Sequence, residues 1–373
     1  MADIVQEYVY QFQGFCQYRT QLGLRSPDEL QQLEANRDIW VLPVVLKTLQ
    51  DLYISGKQQE NQPEPHYVLS FFSCFASVEL ARVECLVGDY STSLQSLSPA
   101  NLGSRVELIS QIPTCHVNVY YHAGVAQLML RRHTEALDTF SDIILAFVSS
   151  IKATPGDRRG AHTPLVKTLD KILSLLTVAY ALSPGYRINE QVKELVESKL
   201  GDKYRRLISG DVTLMSDIFE GACPKFICSI VPNYSVIENL NQEAFSNQVS
   251  TFTKDAGQLL SILKIRSYLR VYKSIELSKV AQMTSVSEEE IKNQLQALQQ
   301  RTTQYLPSTD GKSAATRVST SDVQFTLVDN VLMIEEDVRN SKNDSAERFF
   351  KSSIRKHVDI MNDLNRCFRQ YGL

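Results

Sequence analysis

Residues 275–291 read IELSKVAQMTSVSEEEI, and this stretch decides how the second half of the chain folds. The segment Leu277–Met283 has the length and apolar spacing of a short helix. Another helix is predicted to begin after Ser287, because Ser287 at the N-cap and Glu290 three residues later are typical of a capping box. Its apolar spacing continues to Leu298. The stretch therefore predicts two successive helices of one small unit.

The residues on either side of this stretch complete the unit. Residues 258–273 carry apolar side chains at helical spacing and predict a preceding helix. Two short alternating strands follow, Val323–Leu327 and Val331–Ile334, joined by the polar residues 328–330, which suit a tight turn. Three helices followed by a β-hairpin are the order of a winged helix. The insertion Thr302–Ser321, rich in serine and threonine, is predicted to be a mobile loop.

A long helix is predicted after the hairpin, over Ser345–Tyr371. Apolar residues and one histidine recur there at alternating three- and four-residue steps, which is a heptad seam. The seam consists of Phe350, Ile354, His357, Met361, Leu364, Phe368 and Tyr371. Such a helix can fold back on its own winged helix. Because the seam extends beyond the compact unit, we favour an exposed stripe that binds partner helices.

A helical repeat is predicted upstream, within residues 66–220. In each of two helical hairpins, a small residue of the first helix is followed twelve positions later by a small residue of the second, Ala81 to Ser93 and Gly124 to Ala136. Small residues at this spacing let two helices approach closely, as in tetratricopeptide (TPR) repeats. Because the ideal period is ~34 residues and these copies are farther apart, the pattern predicts a degenerate TPR-like solenoid.

The sequence thus predicts an all-α fold with a small β-wing. The first segment holds two amphipathic helices, over Ile4–Gln21 and Pro27–Tyr53, and a polar linker over Ser55–Pro65. Four segments are predicted: N-terminal helices and linker (1–65), TPR-like helical repeats (66–220), the winged-helix part (221–340) and a C-terminal bundle helix (341–373).

Composition restricts the possible functions. The chain has 373 residues, 43% of them hydrophobic and 22% charged, as in globular proteins. A net charge of −3 lacks the basic excess that holds a chain on phosphates, so autonomous nucleic-acid binding is disfavoured. No apolar run reaches the ~18–20 residues that span a bilayer, and the N-terminus does not look like a signal peptide. We therefore expect a cytoplasmic protein that does not bind membranes.

The sequence offers no arrangement of residues for catalysis or metal binding. The pair Cys223 and Cys228 has no second pair or nearby histidine to complete a zinc site, so buried thiols are favoured. His116 and His122 are six residues apart and would not share one face of a helix. Phosphate-binding loops, serine nucleophile elbows and zinc-protease motifs are absent. We expect no enzyme activity, no cofactor and no metal.

A winged helix can also read DNA through its third helix, which makes a nucleic-acid-binding protein one alternative. Here that helix opens with Glu288, Glu289 and Glu290, whose carboxylates would repel phosphate. Basic residues do occur along the terminal helix, where a solvated face beside the seam is favoured over RNA contact. These are Arg348, Lys351, Arg355, Lys356, Arg366 and Arg369.

The order of helical hairpins, winged helix and terminal helix resembles the PCI family, which is shared by the proteasome lid, the signalosome and initiation factor three. Within it the chain resembles the subunit L family of eukaryotic translation initiation factor three. The resemblance rests on residues 88–90, 114–121, 200–203, 223–226, 231–234 and 265–269, and extends from about Asp38 to the C-terminus.

The resemblance implies a non-catalytic scaffold subunit that supports 43S pre-initiation complex assembly on the small ribosomal subunit. Its implied partners are a subunit similar to subunit K, other PCI and MPN subunits, and the small ribosomal subunit. Proteasome-lid or signalosome subunits with the same architecture are the alternative. The implied contact residues are Val323, Phe325, Leu327, Val331, Leu332 and Ile334 in the wing, and Phe350, Ile354, Met361, Leu364 and Phe368 in the terminal helix.

Overall fold

The computed structural model divides the chain into two compact units, Met1–Gln258 and Leu259–Leu373. The four segments predicted from sequence stay a prediction. The residues that the structure describes are 2–60, 67–98, 106–153, 163–183, 186–234, 240–269, 271–284, 286–306, 316–319, 323–336, 353–354, 357–358 and 360–361.

The N-terminal helices differ from their predicted bounds. They are α1 (Ala2–Thr20), α2 (Pro27–Ala35) and α3 (Leu42–Glu60). The single helix predicted over Pro27–Tyr53 is wrong, because α2 ends at its C-cap Asn36 and Trp40 has a left-handed φ of 54°. The tryptophan ring packs on Tyr8 and Phe12 of α1. The break between α2 and α3 therefore coincides with the packing of the Trp40 ring on α1.

The predicted linker over Ser55–Pro65 is wrong as far as Glu60, because α3 continues to that residue; residues 61–65 lie outside the described ranges. Gly56 lies where this polar stretch meets the next helix. A Cβ at this position would overlap Ser73 and the carbonyl of Leu69, so the missing side chain lets the next helix approach the end of α3.

Helices dominate the remainder of the first unit, and they form the predicted hairpins. They are α4 (Tyr67–Val87), α5 (Tyr90–Ser96), α6 (Val106–Gln111), α7 (Pro113–Met129), α8 (His133–Ala153), α9 (Thr163–Leu182), α10 (Glu190–Ile208) and α11 (Val212–Ala222). Residues 73–81 of α4 are all buried, because α1, α3, α5 and α7 pack around this helix.

The small residues of the predicted repeats lie at the close contacts of the two hairpins. In the first hairpin, the Ser93 hydroxyl donates a hydrogen bond of 2.7 Å to the carbonyl of Ala81. In the second, a Cβ on Gly124 would overlap the ring of Phe140, which is fully buried. The twelve-residue spacing therefore predicted the first hairpin contact correctly. In the second hairpin Gly124 meets Phe140, and its predicted contact with Ala136 stays a prediction.

Helix α12 (Leu240–Leu269) begins 18 residues before its predicted start at Gln258. Its first half contacts the turns of both hairpins. Tyr90 Oη donates to Gln248 Oε1 at 2.8 Å, and Arg131 Nη2 lies 2.6 Å from Asp255 Oδ2. Since Gln248 and Asp255 are seven residues, or two helical turns, apart, one face of α12 contacts two successive turns.

An extended segment, residues 223–234, contacts both the N-terminal helices and the repeats. The backbone N–H of Ile227 donates to the carbonyl of Leu86 at the end of α4, at 3.0 Å. Tyr234 packs in a small cluster with Leu22 and Leu33. The main core of this unit likewise combines residues of α1, α3, α4 and α7. The N-terminal helices thus share a core with the repeats.

The described part of the second unit contains the end of α12, helices α13 (Leu277–Thr284) and α14 (Glu288–Thr302), and five strands. The strands are β1 (Ser274–Glu276), β2 (Thr303–Leu306), β3 (Thr316–Ser319), β4 (Val323–Val328) and β5 (Val331–Glu336). Strands β1, β5 and β4 form an antiparallel sheet in that order.

The insertion predicted to be a mobile loop is partly a β-ladder. Strand β2 pairs antiparallel with β3, from Thr303 opposite Ser319 to Leu306 opposite Thr316, and residues 307–315 lie outside the described ranges. Serine and threonine predicted a loop, but backbone pairing overrides composition here.

The predicted fold class, all-α with a small β-wing, is confirmed, and the helix order and the β4–β5 hairpin agree with the sequence. Asp329 and Asn330, with φ of 47° and 65°, form the tight turn of that hairpin. Among the residues that the structure describes, no helix is both long and apolar enough to cross a bilayer.

Candidate protein-interaction surface

The wing has one face in the core of the second unit and one face outside. Register places Phe325 opposite Ile334 and Leu327 opposite Leu332, and these four side chains pack with α13 and α14. Side chains alternate along a strand, so the intervening residues point the other way. The buried set explains why the hairpin folds where it does.

The predicted wing contacts mostly contribute to this core. Phe325 is 8% exposed and Leu332 is 0% exposed, while Leu327 and Ile334 are partly buried against the same cluster. Val331 is of intermediate exposure, and the side chain of Val323 lies outside what the structure describes. Contact of these residues with a partner stays a prediction.

Sequence reasoning missed two residues on the outer face of the sheet. Val328 is 52% and Met333 is 51% exposed. Met333 lies opposite Thr326 on one side and Ser274 on the other, so it is at the centre of the outer face. The signal was present in the period-2 pattern: once Leu332 is assigned to the core, Met333 must point outward.

Backbone pairing determines which strand can bind another strand. Strand β5 is paired on both sides, with β1 and with β4. Within the described residues, β4 is paired on one side only and forms an edge of this sheet. Because an edge strand carries unpaired backbone groups, β4 is the strand of the predicted hairpin with backbone groups to offer a partner.

The N-terminus of α14 is acidic and exposed. Ser287 is the N-cap, and its hydroxyl accepts a hydrogen bond of 3.3 Å from the backbone N–H of Glu290. The Glu290 carboxylate bonds to Gln294 instead of completing the predicted capping box. All three carboxylates of Glu288–Glu290 are exposed. The helix that would read DNA therefore presents negative charge, which disfavours phosphate binding.

The C-terminal helix is described at six residues, and all six are helical. Ile354 is 62%, Val358 is 52% and Met361 is 57% exposed. Their spacing of four and then three residues puts them on one helical face. Ile360 is also 56% exposed. Phe350, Leu364 and Phe368, predicted in the same seam, lie outside the described residues.

Three buried ionisable groups of the first unit are held in their uncharged forms. Burial raises the pKa of the Cys85 and Cys223 thiols to about 12, so neither is a thiolate near neutral pH. Burial lowers the pKa of His122 to about 3, which leaves it uncharged. Within the described ranges, no group of three or more His, Cys, Asp or Glu side chains can hold a metal ion.

Comparison with known proteins gives the family of the chain. Residues 1–357 match the family model described as RNA polymerase I-associated factor PAF67. Curated relatives named eukaryotic translation initiation factor 3 subunit L include those of Gallus gallus and Homo sapiens, both 29% identical over 99% of this chain and 67% of the relative. The relative from Nematostella vectensis is 30% identical over 90% of this chain and 66% of its own length.

The chain therefore spans about two thirds of the length of the curated relatives that it matches. The family model covers nearly the whole chain, and these relatives align with most of it under a single name. On this evidence the chain belongs to the family described as RNA polymerase I-associated factor PAF67, and the curated relatives that align with it are named subunit L of eukaryotic translation initiation factor 3.

Proposed function

We propose that this chain is a non-catalytic scaffold subunit of translation initiation factor 3. It binds neighbouring subunits through its winged helix and C-terminal helix, and so supports 43S pre-initiation complex assembly on the small ribosomal subunit in the cytoplasm. The observation that carries the proposal is the exposed apolar stripe formed by Ile354, Val358 and Met361. The names of the relatives supply the complex.

An exposed stripe at this spacing is suited to binding another helix. Three large apolar side chains, each more than half exposed, recur on one face over two helical turns. Each fully buried side chain of this size contributes about 1.5–3 kcal/mol by leaving water. A partner helix with a matching apolar face would bury all three, as in helical bundles.

The winged helix offers an independent contact. Strand β4 is an edge within the described sheet, and the outer face beside it exposes Val328 and Met333. A second PCI subunit could pair with the edge while its side chains cover these two residues. The TPR-like repeats would bind a neighbour similar to subunit K. Together these surfaces would make the chain a connector between subunits.

The stripe can be tested by co-purification from cells. The double substitution Ile354→Asp with Met361→Asp should reduce recovery of other initiation factor 3 subunits at least tenfold, because each buried carboxylate without a partner costs several kcal/mol. Both side chains are exposed in the isolated chain, so its circular dichroism spectrum and melting temperature should be unchanged.

Ile4→Asp is the matched control. Ile4 is 64% exposed on α1, outside the repeats, the wing and the terminal helix, so the same exchange is made on another exposed helical surface. This variant should recover the complex as the wild type does. Normal recovery of the subunits by the double variant would refute the role of the stripe.

Mass spectrometry of the proteins that co-purify with the wild-type chain distinguishes between the candidate complexes. Initiation factor 3 subunits and small ribosomal subunit proteins are the expected companions. RNA polymerase I subunits in their place would favour the association named in the family description. Proteasome-lid or signalosome subunits would support the alternative PCI assemblies.

A further inference from the structure

The carboxyl group of Glu84 is buried where α4 contacts α5. Glu84 is 7% exposed, and its Oε2 accepts a hydrogen bond of 2.9 Å from the Ser96 hydroxyl. The carbonyl of Ser96 accepts in turn from the Ser77 hydroxyl at 2.7 Å. Helix α5 is thus held on α4 by short hydroxyl bonds, and Glu84 is the ionisable member of this contact.

No cation compensates Glu84 among the residues that the structure describes. The charged group that acts on its carboxyl is Asp89, the N-cap of α5, and its charge has the same sign. Arg82 is two residues away on α4, but its guanidinium pairs with Glu79 at 3.2 Å and bonds to Gln13 of α1. An ionised Glu84 would therefore be a buried charge without a counter-ion.

The described residues of the other elements packed against α4 supply no compensating charge to Glu84 either. From α7, the buried ring of His122 is uncharged near neutral pH. From α1, the buried guanidinium of Arg19 donates to the carbonyl of Trp40. From α3, Lys47 and Asp51 are exposed, and the Lys57 ammonium lies over the ring of Tyr53. Helix α12 brings the neutral amide of Gln248 to the turn before α5.

The position of α5 also affects α12. Tyr90 is the first residue of α5, and its hydroxyl donates to Gln248 on α12 at 2.8 Å. Gly88, in the turn before it, has φ of 101° and lies against the same Gln248 amide. Opening of α5 therefore breaks a contact with a second element.

We propose that the α4–α5 hairpin is a proton-sensitive latch. When Glu84 is protonated, α5 packs on α4 and the Tyr90 hydroxyl donates to Gln248. When Glu84 is ionised, α5 separates from α4 more often, and this hydrogen bond is lost in the open form. The latch is a property of the first unit and does not depend on which complex the chain joins.

The acid–base behaviour of Glu84 agrees with this geometry. Burial, with a smaller contribution from Asp89, raises the pKa of Glu84 from 4.5 to about 7. When α5 opens, the carboxyl reaches water and its pKa returns toward 4.5. Between these values the closed form binds more protons than the open form, so closure weakens as pH rises.

Hydrogen exchange of the full chain tests the latch. Amide protection in residues 90–97, corrected for the intrinsic pH dependence of exchange, should fall about tenfold between pH 6 and pH 8, as follows from pKa values of 4.5 and about 7. In Glu84→Gln this dependence should vanish. Glu79→Gln is the control, because Glu79 is equally buried on α4 but pairs with Arg82, and it should retain the wild-type dependence.

A second variant keeps the test valid if Glu84→Gln does not fold. Ser96→Ala removes the hydrogen bond that lowers the pKa of Glu84, so the midpoint of the pH dependence should move to higher pH. Protection of residues 90–97 that is constant from pH 6 to pH 8 in the wild type would overturn the proposal. So would an unchanged dependence in Glu84→Gln or an unmoved midpoint in Ser96→Ala.

Discussion

At the scale of single residues, His122 shows how a buried base makes a helical core sensitive to acid. It lies on α7 with 8% exposure, and its Nδ1 has no hydrogen-bond partner among the described residues. Burial lowers its pKa to about 3, and the nearby charges of Arg82 and Lys171 act in the same direction. His122 therefore stays unprotonated in the folded chain under conditions, below about pH 6.5, where the unfolded chain binds a proton at this residue.

This difference predicts that stability falls in weak acid. Between pH 6.5 and pH 5 the unfolded state binds the proton and the folded state does not, so the free energy of unfolding should drop by about 1.5 kcal/mol from His122 alone. Urea denaturation at the two pH values measures this drop. In His122→Gln the drop should be smaller by that amount, whereas His357→Gln, at an exposed position, should behave as the wild type.

Some single residues were predictable from the sequence and others were not. Ser93 against Ala81 and the N-cap Ser287 follow from spacing alone, because both contacts are local. The left-handed Trp40 and the buried Glu84 depend on which helices surround them. Nothing in the adjacent sequence encodes those neighbours, so neither feature could be predicted.

At the scale of elements, close helix contacts depend on residues without side chains. Gly124→Ala should destabilise the chain by about 1–3 kcal/mol, since its Cβ would overlap the fully buried ring of Phe140. Gly14→Ala is the control: nothing lies within 4 Å of its Cβ position on α1, so better helix propensity should stabilise by about 0.5–1 kcal/mol. Equal effects of the two substitutions on the melting temperature would contradict this interpretation.

The start of α12 was predicted wrongly because the apolar pattern of its first half is weak. Its missed first half is mostly polar and buries a narrow seam of Val249, Phe252 and Ala256, with Leu260 one turn later. These steps of three and four residues are helical, but the polar residues between them hide the pattern. The functional role of this half, contact with two hairpin turns, comes from Gln248 and Asp255, which are hydrophilic.

At the scale of the whole molecule, the fold class and the order of helices and strands could be predicted from the sequence, whereas the predicted binding surface stays a prediction. Order follows from local periodicity along the chain. The surface depends on which face of the wing is buried, and the buried face includes Phe325 and Leu332, which the sequence had assigned to partner contact. Assigning the core first would have left Val328 and Met333 as the outward residues.

The division into two units predicts that the second unit folds and assembles alone. Its core cluster consists of residues from Leu259 to Ile334. A fragment of residues 259–373 should therefore unfold cooperatively on heating, since every member of that cluster is present. If the C-terminal stripe carries assembly, this fragment should also compete with the full chain for the other subunits.

Competition is measured by adding the purified fragment during co-purification of the tagged full chain. Recovery of partner subunits should fall as the fragment concentration rises. The same fragment carrying Ile354→Asp and Met361→Asp should still unfold cooperatively but should not compete, because it presents carboxylates where a partner requires apolar surface. A folded wild-type fragment that leaves recovery unchanged would place the assembly contacts in the first unit, on the TPR-like repeats.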